Sequence, residues 1–110
     1  MGTRSAIGYR LNNGQVRAVY CHYDGYPSHQ MPILTEHFNS VMGACALIEP
    51  GFMRSLGKKP EYMDAPELAE TINRYSVEQH WRNMGCEHLY VYEDDDQGWV
   101  HTDLLLNYGT

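Results

Sequence analysis

The chain has 110 residues and a formal charge of −6, from 8 basic and 14 acidic side chains. That length suits one domain, residues 1–110, and the acidic balance disfavours direct contact with duplex nucleic acid, since Lys58-Lys59 is its only basic cluster. No apolar run approaches the ~20 residues that a membrane crossing takes.

The three cysteines, Cys21, Cys45 and Cys86, are odd in number and form no Cys-x-x-Cys pair. With no leader-like apolar run at the start, a reducing cytoplasmic compartment is expected. Nine Tyr stand against two Phe, and tyrosine, an apolar ring with a polar tip, suits half-buried sheet faces and binding surfaces.

In chain order, Arg4 to Arg10 and Gln15 to Tyr23 read as two strands joined through Leu11-Asn12-Asn13-Gly14. Asn-Gly accepts the positive φ of a type I′ turn, so a hairpin is expected. A two-residue turn at Asn13-Gly14 would set Ile7 opposite Tyr20, Tyr9 opposite Ala18 and Arg10 opposite Arg17, a mildly repulsive pair. Asp24-Gly25-Tyr26-Pro27 breaks the strand. A first helix is expected from about Pro32 to Phe38, with proline at a first helical position and Leu34 and Phe38 on one face. A second follows, with Ser40 as cap and Ala44, Leu47 and Ile48 inside, ended by Pro50-Gly51.

Phe52 to Pro60 reads as a loop or single turn. Asp64-Ala65-Pro66-Glu67 carries the signals of a helix start, and Leu68, Ile72 and Tyr75 follow at helical spacing. Ser76-Val77-Glu78-Gln79 repeats the capping pattern, and Met84-Gly85 closes the helix. Glu87 to Tyr92 alternates His88, Tyr90 and Tyr92 against Leu89 and Val91, a half-buried strand. After a turn at Asp94 to Gly98, Trp99 to about Leu106 returns. The expected fold is α+β: a four-stranded antiparallel sheet in the order ββ-helices-ββ, with helices packed on one face.

Three chemistries compete for the polar residues. Cys21-His22 and Cys86-x-His88 end and begin strands that could converge on a metal ion, but strand neighbours diverge and zinc takes about four ligands. No metal and no cofactor is therefore expected. Cys21 with His88 or His101 is a conceivable nucleophile and base, yet no Gly-x-Ser-x-Gly elbow, phosphate loop or His-Glu-x-x-His helix supports an enzyme, and no catalytic residue is assigned. Binding is favoured. His22, Tyr23, Asp24 and Tyr26 share one strand end and turn, where rings give rigid contact area and His and Asp give polarity. Arg4 or Arg10 from the adjoining strand would clamp a nucleotide-type small molecule against those rings. Asp94, Asp95 and Asp96 would add charge at the rim, although Asp is also common in solvated turns.

The run Thr3-Arg4-Ser5-x-Ile7-Gly8, then Gly14-x-Val16, then Tyr20-Cys21-His22-Tyr23-Asp24-Gly25-Tyr26-Pro27 resembles the opening of a group of small uncharacterised bacteriophage proteins. Their signature is followed by a helix resembling Ile33 to Phe38, and a weaker echo falls at Phe52-Met53-Arg54-Ser55-Leu56-Gly57. Many of them carry Trp at the position of Tyr23. The group brings no established activity. The resemblance implies a phage or prophage origin, a place in the cytoplasm of the bacterial host, and action on a host component. The expected function is non-enzymatic binding that inhibits or modulates a host protein, such as a nuclease or other defence effector. The alternative is sequestration of a nucleotide-type ligand in a Tyr-lined pocket holding at least one Arg, built between chains of a homo-oligomer. An enzyme with a Cys/His or metal site ranks third.

Overall fold

The computed structural model describes residues 2–105. Strands β1 (Ser5–Arg10) and β2 (Val16–Tyr23) form the expected hairpin. Its loop has one residue more than expected. Gly14 N donates to Leu11 O at 2.9 Å and Leu11 N to Gln15 O at 2.8 Å, with Gly14 at φ 90, so a turn over Asn12-Asn13 is closed by a left-handed glycine. Because side chains alternate along a strand, that one residue exchanges the faces of β2 relative to β1. Ile7 lies opposite Val19 and Tyr9 opposite Arg17, while Arg10 faces Val16. The expected Arg10–Arg17 repulsion is absent. Arg10 instead pairs with Glu93 and Arg17 with Glu49.

Helix α1 (Pro27–His37) starts earlier than expected, because Pro27 and not Pro32 takes the first-turn position. Pro32 sits inside the helix, where its missing N–H removes one bond. Helix α2 (Val41–Ile48) begins as expected, with the Ser40 hydroxyl accepting from Gly43 N at 2.9 Å. The segment expected as a loop, Phe52 to Pro60, then contains β3 (Met53–Ser55), and β4 (Glu61–Tyr62) follows it directly.

The helix expected from Asp64 does not form. Ala65 lies at φ 48, outside any right-handed helix, and Phe52 N donates to Glu67 O at 2.8 Å, drawing that backbone toward the sheet. The chain continues as β5 (Glu70–Ile72), with Leu68 exposed. Only the restart at Ser76 gives a helix, α3 (Val77–Asn83), closed by Gly85 at φ 88. Strands β6 (His88–Tyr92) and β7 (Trp99–Asp103) complete the sheet, and the expected end of the last strand at Leu106 lies outside the described residues.

The sheet is seven-stranded and mixed, in the order β4-β3-β2-β1-β6-β7, with β5 also on β2. This corrects the four-stranded antiparallel expectation. Two features account for it. The eight residues of β2 serve two partners on one edge, β5 beside Val16–Ala18 and β3 beside Cys21 and Tyr23. The chain also returns to β1 through β6 in parallel, not antiparallel, orientation.

Helices cover both faces, where one was expected. On the first face, with Ile7, Val19 and Tyr90, Gln30 of α1 bonds Ser5 and Cys21, and Glu49 beyond α2 receives the Tyr9 hydroxyl. On the second face, Tyr20 meets Phe52, which meets Trp81 of α3. Strand β6 is consequently buried from Leu89 through Tyr92, not half-buried.

Candidate functional site

The opening segment from Thr3 to Pro27 divides into a buried part and a surface part. Ser5 and Gln30 are both fully buried; the Ser5 hydroxyl donates to Gln30 Oε1 at 2.8 Å and Gln30 Nε2 donates to Cys21 Sγ at 3.3 Å. Gly25 N donates to Thr3 O at 2.8 Å, and the Tyr90 hydroxyl donates to Gly25 O at 2.6 Å. A Cβ at Gly25 would stand 2.7 Å from Thr3 O, so glycine lets the turn lie against the first strand. Thr3, Ser5, Cys21 and Gly25 therefore hold the fold. Burial pushes the Cys21 thiol up to about 11 and the Cys86 thiol up to about 12, so neither supplies a thiolate nucleophile near neutrality.

His22 and Tyr23 reach the surface as β2 emerges, and there they border a groove of two adjoining concavities. The larger, about 440 Å³, has Tyr20, Phe52, Met63, Pro66 and Met84 as apolar lining and Asp64 and Glu67 as carboxylates. The smaller, about 390 Å³, lies between His22, Tyr23 and Arg54 and shares Met63 and Asp64 with the first. Both volumes fall in the range of small-molecule sites and side-chain clefts.

One wall is the stretch from Met63 to Glu67, held at both ends on Phe52: Met63 N donates to Phe52 O at 3.1 Å, and Phe52 N to Glu67 O. Ala65 sits in its left-handed conformation between these anchors. Rings succeed one another along the groove, His22 on the edge of Tyr23 at 4.5 Å, Tyr20 at 5.8 Å from His22 and 5.9 Å from Phe52. The Tyr20 hydroxyl and His22 Nδ1 share a hydrogen bond at 2.9 Å, which fixes the imidazole's orientation. Burial raises the Tyr20 pKa, against a pull from the Arg4 guanidinium. Arg54 is held loosely, 3.7 Å from Glu61 and 3.9 Å from Asp64.

Of the expected binding residues, the structure gathers five at this end of the sheet. His22 and Tyr23 line the groove. Exposed Asp24 makes the following turn at φ 57. Tyr26, 41% exposed, precedes α1 with its ring 5.7 Å from His29. Arg4 is exposed and acts on Tyr20. The other four lie at the opposite end, roughly 20 Å away along six residues of β1. There Arg10 grips both Glu93 oxygens at 3.0 and 2.9 Å and cannot clamp a ligand beside Tyr23. Asp94, Asp95 and Asp96 form the β6–β7 turn: Asp94 accepts from the Asp96 and Gln97 amides, and Asp95 accepts from the Tyr92 hydroxyl at 2.6 Å. They are not the rim of this groove.

Sequence reasoning missed Phe52, Arg54, Met63, Asp64 and Met84. A usable signal existed for two of them, since the echo at Phe52 to Gly57 contains Phe52 and Arg54. Among the described residues, no group of three or more His, Cys, Asp or Glu is arranged to hold a metal ion, and no helix is long and apolar enough to cross a membrane. Compared with known proteins, the chain matches no family model, no curated protein and no solved structure.

Proposed function

We propose that this chain acts by stoichiometric binding of a protein partner, and that the contact surface is the end of the sheet where β2 emerges. One observation carries the reading: Tyr23, 45% exposed, borders a groove floored by Tyr20 and Phe52, and Tyr26, 41% exposed, follows three residues later at the same end of the sheet. Exposed large rings next to a concavity are the usual composition of an interface centre, because they give contact area at low entropic cost. His22 and Asp24 supply polar specificity around them. The net charge of −6 favours a basic partner and speeds encounter with it. In this reading Asp94 to Asp96 contribute to the long-range field, not to the contact.

A phage-encoded accessory protein acting on a host component, such as a nuclease or other defence effector with a basic surface, fits that charge and the resemblance of the opening segment. The test is capture from host lysate with the wild-type chain and with Tyr23→Ala/Tyr26→Ala. A partner retained by the first and lost by the second, at unchanged thermal stability, is the expected result. Equal capture by both would sink this surface as the interface.

A second reading, sequestration of a nucleotide-type ligand, is favoured by one arrangement: His22, Tyr23 and Arg54 surround a single concavity. Rings there would stack a base while the guanidinium met a phosphate. Asp64 in the same concavity weighs against it, since a phosphate would have to compete with that carboxylate for Arg54. A thermal-shift panel of nucleotides separates the readings, a saturating ligand at a hundredfold above Kd stabilising by about 2.7 kcal/mol.

A further inference from the structure

The two histidines of the last hairpin meet on the first face of the sheet. His88 Nδ1 and His101 Nε2 lie 2.9 Å apart in a hydrogen bond, and the His101 ring stacks on Tyr90 with centroids 5.1 Å apart. Tyr90 is fully buried, and its hydroxyl carries the 2.6 Å bond to the Gly25 carbonyl. An unbroken chain of contacts thus runs from an imidazole pair to the turn that presents Asp24 and Tyr26. We propose that this chain is a pH-responsive latch, in which double protonation of His88 and His101 loosens Tyr90 from Gly25 and disturbs the surface carried by Tyr23 and Tyr26.

The proton count explains the direction. Two neutral imidazoles share one N–H between facing nitrogens, and a single added proton leaves that bond in charge-assisted form. A second proton from solvent puts N–H on both facing nitrogens, so the bond is lost and two cations face each other at close range. The rings must then separate, and Tyr90 is stacked on the one that moves.

The charged groups around the pair set where this happens. From β7, Asp103 lies across from His88 and attracts protons to His101, opposing burial and the neighbouring His88, which disfavour the cation. From β1, the residue facing His88 is neutral Ser5. From β2, Cys21 acts on Tyr90, and it is buried and held protonated. Helix α1 turns Gln30 and Leu34 inward, both neutral. Its titratable groups are engaged elsewhere, His29 with Leu56 O at 2.8 Å and His37 with exposed Glu36. Asp24 and Tyr26, beside Gly25, are exposed.

This latch does not depend on the identity of any partner, so it is tested on the free protein. The experiment is an NMR titration of the full chain from about pH 8 to about pH 5, the span in which imidazoles change charge, following the Gly25 and Tyr26 amides and the His101 side chain. The expected result is that Gly25 and Tyr26 shift with the second proton uptake of the histidine pair, when both rings become cations. In His101→Gln, which keeps a hydrogen-bonding group but takes no proton, that transition disappears. In Tyr90→Phe the imidazoles still titrate, but Gly25 no longer follows. A Gly25 amide that stays still after both imidazoles of the pair have become cations overturns the latch. So does a response that survives His101→Gln, because two facing cations cannot form in that variant.

Discussion

Gln30 and Ser5 are fully buried and joined at 2.8 Å, and the bond links the first strand to the first helix across 25 positions of sequence. A buried amide is stable only while its partners remain, since an orphaned hydroxyl keeps the cost of leaving water. Gln30→Ala removes the Ser5 acceptor and the Cys21 donor together and opens a cavity. The expected loss is about 2–4 kcal/mol. For a domain of this size that lowers Tm by roughly 10–20 °C, which a thermal melt followed by circular dichroism reads directly. A melt within a degree or two of wild type would mean that water or a rearranged Ser5 satisfies the site.

Two glycines should respond oppositely to one substitution. A Cβ on Gly8 would stand 2.5 Å from both the Ala18 Cβ and the Arg17 carbonyl oxygen, within the central hairpin. Gly8→Ala must therefore push β1 and β2 apart, at a cost of about 2 kcal/mol or more. A Cβ on Gly57 meets only the Lys59 carbonyl oxygen at 3.6 Å, an ordinary contact. Gly57→Ala is expected to lie within about 0.5 kcal/mol of wild type, or slightly above it through a stiffer unfolded chain. Urea midpoints of the two variants decide the matter, and similar losses at both positions would contradict the packing described at Gly8.

The uneven legibility of this chain has the same physical root as those contrasts. Features written locally were readable: the glycine turn of the first hairpin, the Ser40 cap, the left-handed Gly85, and a strand end at His22-Tyr23 that reaches solvent. Features decided by distant partners were not. A two-residue and a three-residue loop both use Gly14, and only burial on both faces, with carboxylates for Arg10 and Arg17, selects the longer one. Strands β3, β4 and β5 are three, two and three residues long, too short to show a period, and two of them exist because β2 has an edge to offer. Asp64 to Glu67 has every mark of a helix start, yet its backbone is claimed by Phe52. The same pairing builds the groove wall, so the helix expected in error and the missed Met63 and Asp64 have one cause. The distance of Asp94 to Asp96 from Tyr23 follows from the parallel alignment of β6 with β1, which no local pattern reveals.

Thiol chemistry should single out one cysteine of the three. Cys21 is fully buried and Cys86 is 2% exposed, and burial holds both thiols protonated. Cys45 is only partly buried. Thiolate is the reactive form, so a disulfide reagent at pH 8 should modify one equivalent quickly in the folded protein. The other two should react only at the rate of unfolding. Mass spectrometry of the labelled chain assigns the fast site, and early labelling at Cys21 would show that the Ser5–Gln30–Cys21 knot opens under native conditions.

Tyrosine truncation at the proposed contact surface should separate binding from stability. Tyr23 and Tyr26 are each more than a third exposed, so removing either ring sacrifices little core packing. Tyr23→Ala is expected to change stability by less than about 1 kcal/mol. Against a captured partner it should weaken binding by roughly thirtyfold, the size of a modest interface hot spot of about 2 kcal/mol. Calorimetry on one batch of each variant measures both quantities, and an affinity that survives both truncations would move the interface away from the end of β2.

Acid sensitivity follows from His101 and has a definite sign. Burial, reinforced by the neighbouring His88 and opposed by Asp103, lowers its pKa below the ordinary value of 6.5. The unfolded chain therefore takes up this proton at a higher pH than the folded one. Between the two pKa values the unfolded state binds more protons, so stability rises with pH. The contribution is complete above the unfolded pKa and is lost as pH falls through the folded one. Glu49 does not confuse this window. Hydrogen bonds from Arg17 and Tyr9 hold its carboxyl below the ordinary 4.5, so its own contribution is lost only in stronger acid. Urea midpoints should thus be lower at about pH 5.5 than at about pH 7.5, on either side of the ordinary histidine range. His101→Gln should shrink that difference whatever it does to stability at neutral pH, because glutamine takes up no proton in this range. An undiminished difference in the variant would place the acid-sensitive group elsewhere.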